Sequence, residues 1–533
     1  MSTSPDVDPP TEPTEPYVPE PSATEPVTEP PSTAPPARNQ SAERLIGHVI
    51  IITAAMVVLA LILHHPSKHG VNDGSRWNTV WSLVHEGHYR IDGESWQPVD
   101  HPVHGMHYEG PWWTIDMVAT LAPEKGERNG SPKLAYYSSK TALLPTLVAG
   151  VYYVVWKVGD GLDNLISGEK DRWRIAYPVE NRNRDNQAKR GDYAGRTILI
   201  LINVVPFVIF LYLYRRMLAQ SSYRPVTRVI CLATAALGTF ITAYTRTLNN
   251  HTVAAICGFI AVYAVLRIWY GGERRWWYFT VAGFFAAFTA TCELPATSLL
   301  AAIMLVLLIK DPKRAAIHAL PAAVVPIVAF AMTNYLSVGQ HLNGWAAFAP
   351  PQVFHHVDES ADRAQYRLYH FPGSYWNKLD PTGIDGQEEH KAVYTAHTLI
   401  GHHGIFSLTP ILLLSLVGIG RHLMGKTRSL VGFNAIVLLI TLVVLVFYVV
   451  KTNNYSGGAQ GFRWSIWMIP LWLVALPQGV ELFLQRRWTQ TLTMVLFALS
   501  VFTAAHATVG VGGPWSKSWL HWALQAVGIV NYS

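Results

Sequence analysis

Apolar runs long enough to cross a bilayer recur along this 533-residue chain, and the short turns between them carry the positive charge. A hydrocarbon core of about 30 Å takes roughly 20 helical residues, and only a helix or a closed barrel satisfies its backbone there. Runs of this kind are read near 45–64, 196–214, 226–244, 252–269, 277–293, 295–309, 316–337, 404–420, 430–450, 465–484 and 489–507. Five turns are basic: Arg215/Arg216/Arg224/Arg228, Arg267/Arg274/Arg275, Lys310/Lys313/Arg314, Arg421/Lys426/Arg428 and Arg486/Arg487. Short basic loops stay in the cytoplasm. The expectation is therefore an all-α polytopic protein of the cell (inner) membrane with eleven spans, its N-terminus cytoplasmic and its C-terminus outside.

Composition agrees with a membrane solvent. Half of the residues are hydrophobic and only 14% charged, with 19 Trp and 24 Tyr to form interfacial belts. The net charge of +6 sits in the turns, so it reads as a topology signal and gives no reason to expect a nucleic-acid partner. Cys231, Cys257 and Cys292 all fall in apolar runs, which leaves neither a disulfide framework nor a cysteine metal site.

The chain divides into three regions. Residues 1–43 are a Pro/Thr/Glu-rich cytoplasmic tail too polar to order itself. Residues 44–507 form the multi-span domain; its first apolar run, from near Leu45, is long enough to remain as an anchor, and its outer loops are 65–194 and 338–403. Juxtamembrane helices are expected in the first loop. The apolar stretch 141–157 is one of them, because if it spanned alone every later basic turn would point outward. Residues 508–533, with Trp515, Trp519, Leu520 and Trp522, read as an amphipathic tail along the outer face.

The polar residues collect on the outer side. Asn72-Asp73-Gly74-Ser75-Arg76-Trp77 follows the first span at once, and Trp112-Trp113-Thr114-Ile115-Asp116 lies further along the same loop. That loop ends in Ser139-Lys140-Thr141-Ala142-Leu143-Leu144-Pro145. Together these resemble the GT-C superfamily of membrane glycosyltransferases, which place an acidic residue just beyond span one. The branch with protein mannosyltransferases and the lipid A aminoarabinose transferase ends the loop in E-K-P-P-L; here Lys and Leu are kept and Ser stands for Glu. The resemblance implies a sugar donor linked to polyprenyl phosphate, drawn from among the membrane lipids, and a lipid, glycan or protein acceptor. A divalent metal occurs in parts of that superfamily, which implies Asp73 with His101, of the His101/His104/His107 set, as its ligands.

The chemistry can be stated independently of the resemblance. Phosphate leaves readily, so transfer needs one carboxylate to take the acceptor proton and cations to hold the departing phosphate. The flanking carboxylate pair of glycoside hydrolysis is not required. Asp73 is the expected catalytic base. Lys140 and Arg463, the latter from Gly457-Gly458-Ala459-Gln460-Gly461-Phe462-Arg463-Trp464, are the expected phosphate clamp. Arg76, Asp116, Asn250, His251, Glu293, His402 and His403 complete the expected substrate-binding set. Plainer roles compete: a helix cap for Asp73 and Asn249, snorkelling for Lys140, interface anchoring for Arg463. The alternative function is a transporter or flippase of a lipid-linked sugar. That class favours paired repeats and polar groups near the midplane, and neither is seen here. Pro206, Pro326 and Pro470 fall inside spans without charged company and read as kinks.

Overall fold

The computed structural model describes residues 37–532 apart from 69, 93–96, 102–104, 110–113, 123–132, 169–171, 176–191, 355–367, 372–373, 378–382, 387–388, 426–429 and 511; for 37–40, 97–101, 105–109, 122 and 133 it describes the chain path alone. Leu45–Ser533 form one compact unit, which carries the hairpins and every helix from Val71 onward.

Helices α1 (Ala37–His64) and α2 (Val71–His85) lead into two antiparallel hairpins, β1 (Gln97–His101) with β2 (Gly105–Glu109) and β3 (Met117–Ala122) with β4 (Lys133–Ser138). Next come α3 (Leu143–Ser167), α4 (Tyr193–Ala219), α5 (Pro225–Leu237), α6 (Phe240–Tyr244), α7 (Asn250–Trp269), α8 (Trp276–Cys292), α9 (Thr297–Lys310) and α10 (Pro312–Leu336). A stretch of short 3-10 turns precedes α11 (Lys391–Leu399), α12 (Ile405–Leu408), α13 (Leu413–Met424), α14 (Val431–Lys451), α15 (Arg463–Phe483), α16 (Arg487–Val509) and α17 (Trp519–Ala526).

Among the described residues, eight helical stretches are long and apolar enough to cross a membrane. They coincide with eight of the eleven expected spans. The other three expected runs are shorter helices: α8 has 17 residues, and Leu294–Lys310 and Pro410–Met424 are also below spanning length. Each is cut short by a break the apolar count ignores, at Glu293-Leu294-Pro295 and at Thr409-Pro410. The protein is thus a predominantly helical, multi-pass membrane protein in character. Pro206 lies inside α4 and Pro326 inside α10, whereas Pro470 lies close to a helix start. Pro206 follows a π-helical turn at Ile200–Val204, and Pro470 stands at the first turn of the α-helical part of α15, where its missing N–H costs nothing.

The bundle is held by close backbone approach. A Cβ on Gly479 of α15 would stand 1.8 Å from Leu414 O of α13, and one on Gly418 of α13 would stand 2.1 Å from Ala475 O of α15. Gly283 of α8 meets Ala319 O of α10 in the same way, at 2.2 Å. Small residues supply this contact because lipid tails give no hydrophobic drive between helices. α7 is buried almost all round and is central, whereas α14 turns Leu439, Leu442, Val443, Val446, Phe447 and Val450 outward as a lipid-type face.

Within this predominantly helical protein the first loop carries a little sheet beside its helices. Its β3 and β4 segments, Met-Val-Ala-Thr-Leu-Ala and Lys-Leu-Ala-Tyr-Tyr-Ser, alternate between two faces with period two. Val118 and Tyr137 pack with Val338, Leu342, Ala346, Phe354 and Leu368, while Met117, Ala119 and Tyr136 pack with Ile91 and Phe371. The hairpin therefore joins the two loop regions into one small body, with Ala119 N donating to Leu368 O at 2.9 Å. The stretch around 141–157 forms the 25-residue α3, which is not among the eight spanning stretches.

Candidate functional site

Hairpin register builds the first part of the site. Met117 pairs with Ser138, so Asp116, just before β3, and Lys140, just after β4, emerge side by side. Ser75 Oγ donates to Asp116 O at 2.6 Å and lies 2.6 Å from Ser138 Oγ, which fastens this end of the hairpin to α2. The result is an ion pair, Lys140 Nζ to Asp116 Oδ1 at 2.7 Å, with the two side chains 12% and 8% exposed.

From there the network runs through α2 into the membrane helices. Asn72 Nδ2 donates to Asp116 Oδ2 at 3.2 Å, while Arg76 Nη1 donates to Asn72 O at 3.0 Å and to its Oδ1. Arg76 Nη2 donates to Asn250 Oδ1 at the start of α7. Asn250 Nδ2 donates to Glu293 Oε1 at 2.6 Å, and the same oxygen meets His251 Nδ1. The residue Asn249 is the N-cap of α7, its Oδ1 accepting from Thr252 N at 2.8 Å, so its capping role is realised.

Arg463 enters from the opposite part of the sequence. The loop before it turns through positive φ at Ser456 (74°) and Gly457 (79°). Asn454 Oδ1 accepts from Ser456 N at 2.7 Å and Gly457 N at 3.1 Å, closing the turn, and Ser456 Oγ accepts from Arg463 N at 3.3 Å. The guanidinium lies 5.0 Å over the Trp515 ring, and its Nε is buried without a hydrogen-bond partner. Arg463 acts electrostatically on Asp116, Lys140, Arg76 and Glu293 alike, so it belongs to the same charged cluster.

Charge is strongly perturbed where these groups meet. Burial pushes the Lys140 ammonium down to about 8, and Arg463 and Arg76 push the same way against the pull of Asp116. Burial also lowers Arg76, to about 10. For Asp116, burial alone would raise the carboxyl, but Lys140, Arg463 and Arg76 together hold it below its ordinary value. A concentration of three cations in a poorly solvated space favours an anionic guest. Asn250 stands at the N-terminal end of α7 and Arg463 at that of α15, where a helix end adds partial positive charge.

Of the expected residues, Arg76, Asp116, Lys140, Asn250, His251, Glu293 and Arg463 converge here. Asp73 stands beside them but deeper: it is fully buried, and its Oδ1 accepts from Gly70 N at 2.7 Å at the start of α2. Arg76 and Arg246 both feel its charge. Asp73 thus closes the first turn of α2 from the third position of the helix, with Gly70 at the N-cap. His402 and His403 stand in a different cluster, with His397, His521, Tyr455 and Tyr532; His402 Nε2 is 2.9 Å from Tyr532 Oη. Burial, reinforced by neighbouring rings, pushes both well down, His403 to about 3. His101 lies in β1, and its side chain, like all of His104, is outside the described residues. Among the described residues no three His, Cys, Asp or Glu side chains are gathered to hold a metal ion.

Two site residues escape the sequence reading. Asp385 accepts from Asn454 Nδ2 at 2.7 Å and from Tyr375 Oη at 3.1 Å, and Asn454 is the residue that also shapes the turn before Arg463. Both sit in segments rich in turn-formers, Gly383-Ile384-Asp385-Gly386 and Asn453-Asn454-Tyr455-Ser456-Gly457, where the only signal is a backbone one.

The basic turns mark the far end of the bundle. Arg224 Nε contacts Glu481 Oε1 at 2.6 Å near the end of α15 remote from Arg463, and Arg267, at the end of α7 remote from Asn250, donates to Gln220 at 2.9 Å. No protein-family model matches the chain, and no curated protein matches it in sequence.

Proposed function

We propose that this chain is a GT-C-type glycosyltransferase, moving a sugar from a polyprenyl-phosphate-linked donor to a lipid, glycan or protein acceptor at the extracytoplasmic face of the membrane. The observation that carries the reading is the convergence of Arg76, Lys140 and Arg463, from three distant segments, around the buried Asp116 at one end of an apolar bundle.

In this scheme Arg463 supplies a forked, two-donor contact to the phosphate and Lys140 a point charge. Arg76, oriented by Asn72 and Asn250, adds a third cation. Charge that develops on the departing phosphate is met by donors already in place, so no reorganisation is needed. Asp116 holds Lys140 in place. Asp73 fixes the first turn of α2 and with it the position of Arg76. The proton of the acceptor hydroxyl goes to a carboxylate at the same site.

The test is direct. Purified protein in lipid nanodiscs is given labelled polyprenyl-phosphate sugars of several kinds together with membrane lipid extract as acceptor. Appearance of labelled product with release of polyprenyl phosphate supports the reading. Failure with every donor, while the protein is folded, removes it.

A further inference from the structure

Four carboxylates border the cation cluster, and their surroundings differ. Asp116 is ion-paired with Lys140, Glu293 is hydrogen-bonded to Asn250 and His251, and Asp73 is fully buried against Gly70 N. Asp385 is partly exposed and makes no ion pair among the described residues. Its oxygens each hold one neutral donor, Asn454 Nδ2 and Tyr375 Oη, which leaves acceptor capacity on both. It also lies next to the clamp. Arg463 Nη2 and Asp385 Oδ1 stand 3.6 Å and 3.7 Å from the point where a Cβ on Gly457 would be. Gly457 has no side chain to fill that gap, and its φ of 79° disfavours one.

We propose that Asp385 is the general base of the transfer, receiving the proton of the acceptor hydroxyl beside the Arg463-bound phosphate. This rests on the transferase reading. In the step, the acceptor O–H bond breaks and its proton passes to the Asp385 carboxylate. The freed oxygen pair forms the new bond to the anomeric carbon, and the carbon–oxygen bond to phosphate breaks with its electrons leaving on the phosphate. Burial raises the Asp385 carboxyl above its usual range, against the effect of Asn454, Tyr375 and Arg463, which suits a proton acceptor. Asn454 is then a positioning residue, tying the base to the turn that presents the clamp.

The experiment compares wild type with Asp385→Asn and Tyr375→Phe in the transfer assay, with donor KM and pH profiles. Asp385→Asn should lose about 10²-fold or more in kcat with donor KM little changed. Tyr375→Phe removes a donor to the ionised carboxylate, so the acidic limb of kcat/KM should move to higher pH; this readout decides the matter even if Asp385→Asn does not fold. Wild-type rates in Asp385→Asn, or an unmoved acidic limb in Tyr375→Phe, overturn the assignment while leaving the transferase reading intact. No transfer by the wild type overturns both.

Discussion

Lys140 Nζ lies 2.7 Å from Asp116 Oδ1 because the two residues flank the paired ends of one hairpin, where Met117 faces Ser138. The pair is nearly buried, so each charge depends on the other. Replacing Lys140 with Met breaks the ion pair and leaves Asp116 only Asn72, Arg463 and Arg76 to offset its charge, a loss of up to about 3–5 kcal/mol. The double variant Lys140→Met/Asp116→Asn should recover most of that loss in thermal unfolding yet remain unable to hold the donor phosphate. A single and a double variant of equal stability would show that the pair is not coupled.

The lowered Lys140 ammonium sets a pH window. Its folded value of about 8 lies below the ordinary lysine value of 10.5, so its charged form is disfavoured by folding. Between those values the unfolded chain holds the extra proton, and this group's contribution to stability rises with pH. Donor binding has the opposite sign, because a neutral amine cannot hold phosphate. Affinity for a polyprenyl-phosphate sugar, a diester with no ionisation of its own in this range, should fall as pH rises through about 8. Lys140→Arg should flatten that fall, since arginine stays charged. Equilibrium binding of a labelled donor across the range checks both.

The Arg463 guanidinium, stacked over Trp515 with its Nε unsatisfied, should not be replaceable by lysine. Arg463→Lys keeps the charge but loses the fork and the stacking. The expected outcome is a donor KM raised roughly tenfold, about 1.4 kcal/mol, with the melting temperature little changed. Unaltered kinetics would remove Arg463 from the clamp.

The contact between α13 and α15 has no room for a side chain at Gly479, where a Cβ would meet Leu414 O at 1.8 Å. Gly479→Val should therefore push the helices apart and cost about 1–3 kcal/mol or more. Detergent-solubilised protein should melt earlier, whereas Gly150→Val in α3, where a Cβ would meet nothing within 4 Å, should be close to neutral.

Much of this architecture is legible in residue order. Long apolar runs between basic turns announce the bundle, because a bilayer demands length and apolarity that composition displays directly. Lys140 and Arg463 can be singled out because a cation at the edge of an apolar run is conspicuous. Asp116, Asn250 and Glu293 stand out as polar residues near span ends. The hairpin β3–β4 escapes such a reading, since six-residue strands such as Met117–Ala122 look like any short apolar segment beside a membrane. Three runs look like spans on apolarity alone, while breaks at Pro295 and Pro410 shorten them. His402 and His403 draw attention by residue type, yet they pack into a separate aromatic cluster with Tyr455 and Tyr532. Asp385 carries no signal at all: it gains meaning only when Asn454 and Gly457 fold the second half of the chain against it.

The most direct measurement is sugar transfer from a labelled polyprenyl-phosphate donor by the purified protein, wild type against the double variant Lys140→Met/Arg463→Ala, with folding confirmed by thermal unfolding. The wild type should form labelled product, and the double variant, deprived of two of the three cations around the headgroup, should lose about 10²-fold or more in kcat/KM. Product formed equally well by the folded double variant, or by neither protein, would contradict a phosphate clamp at this site.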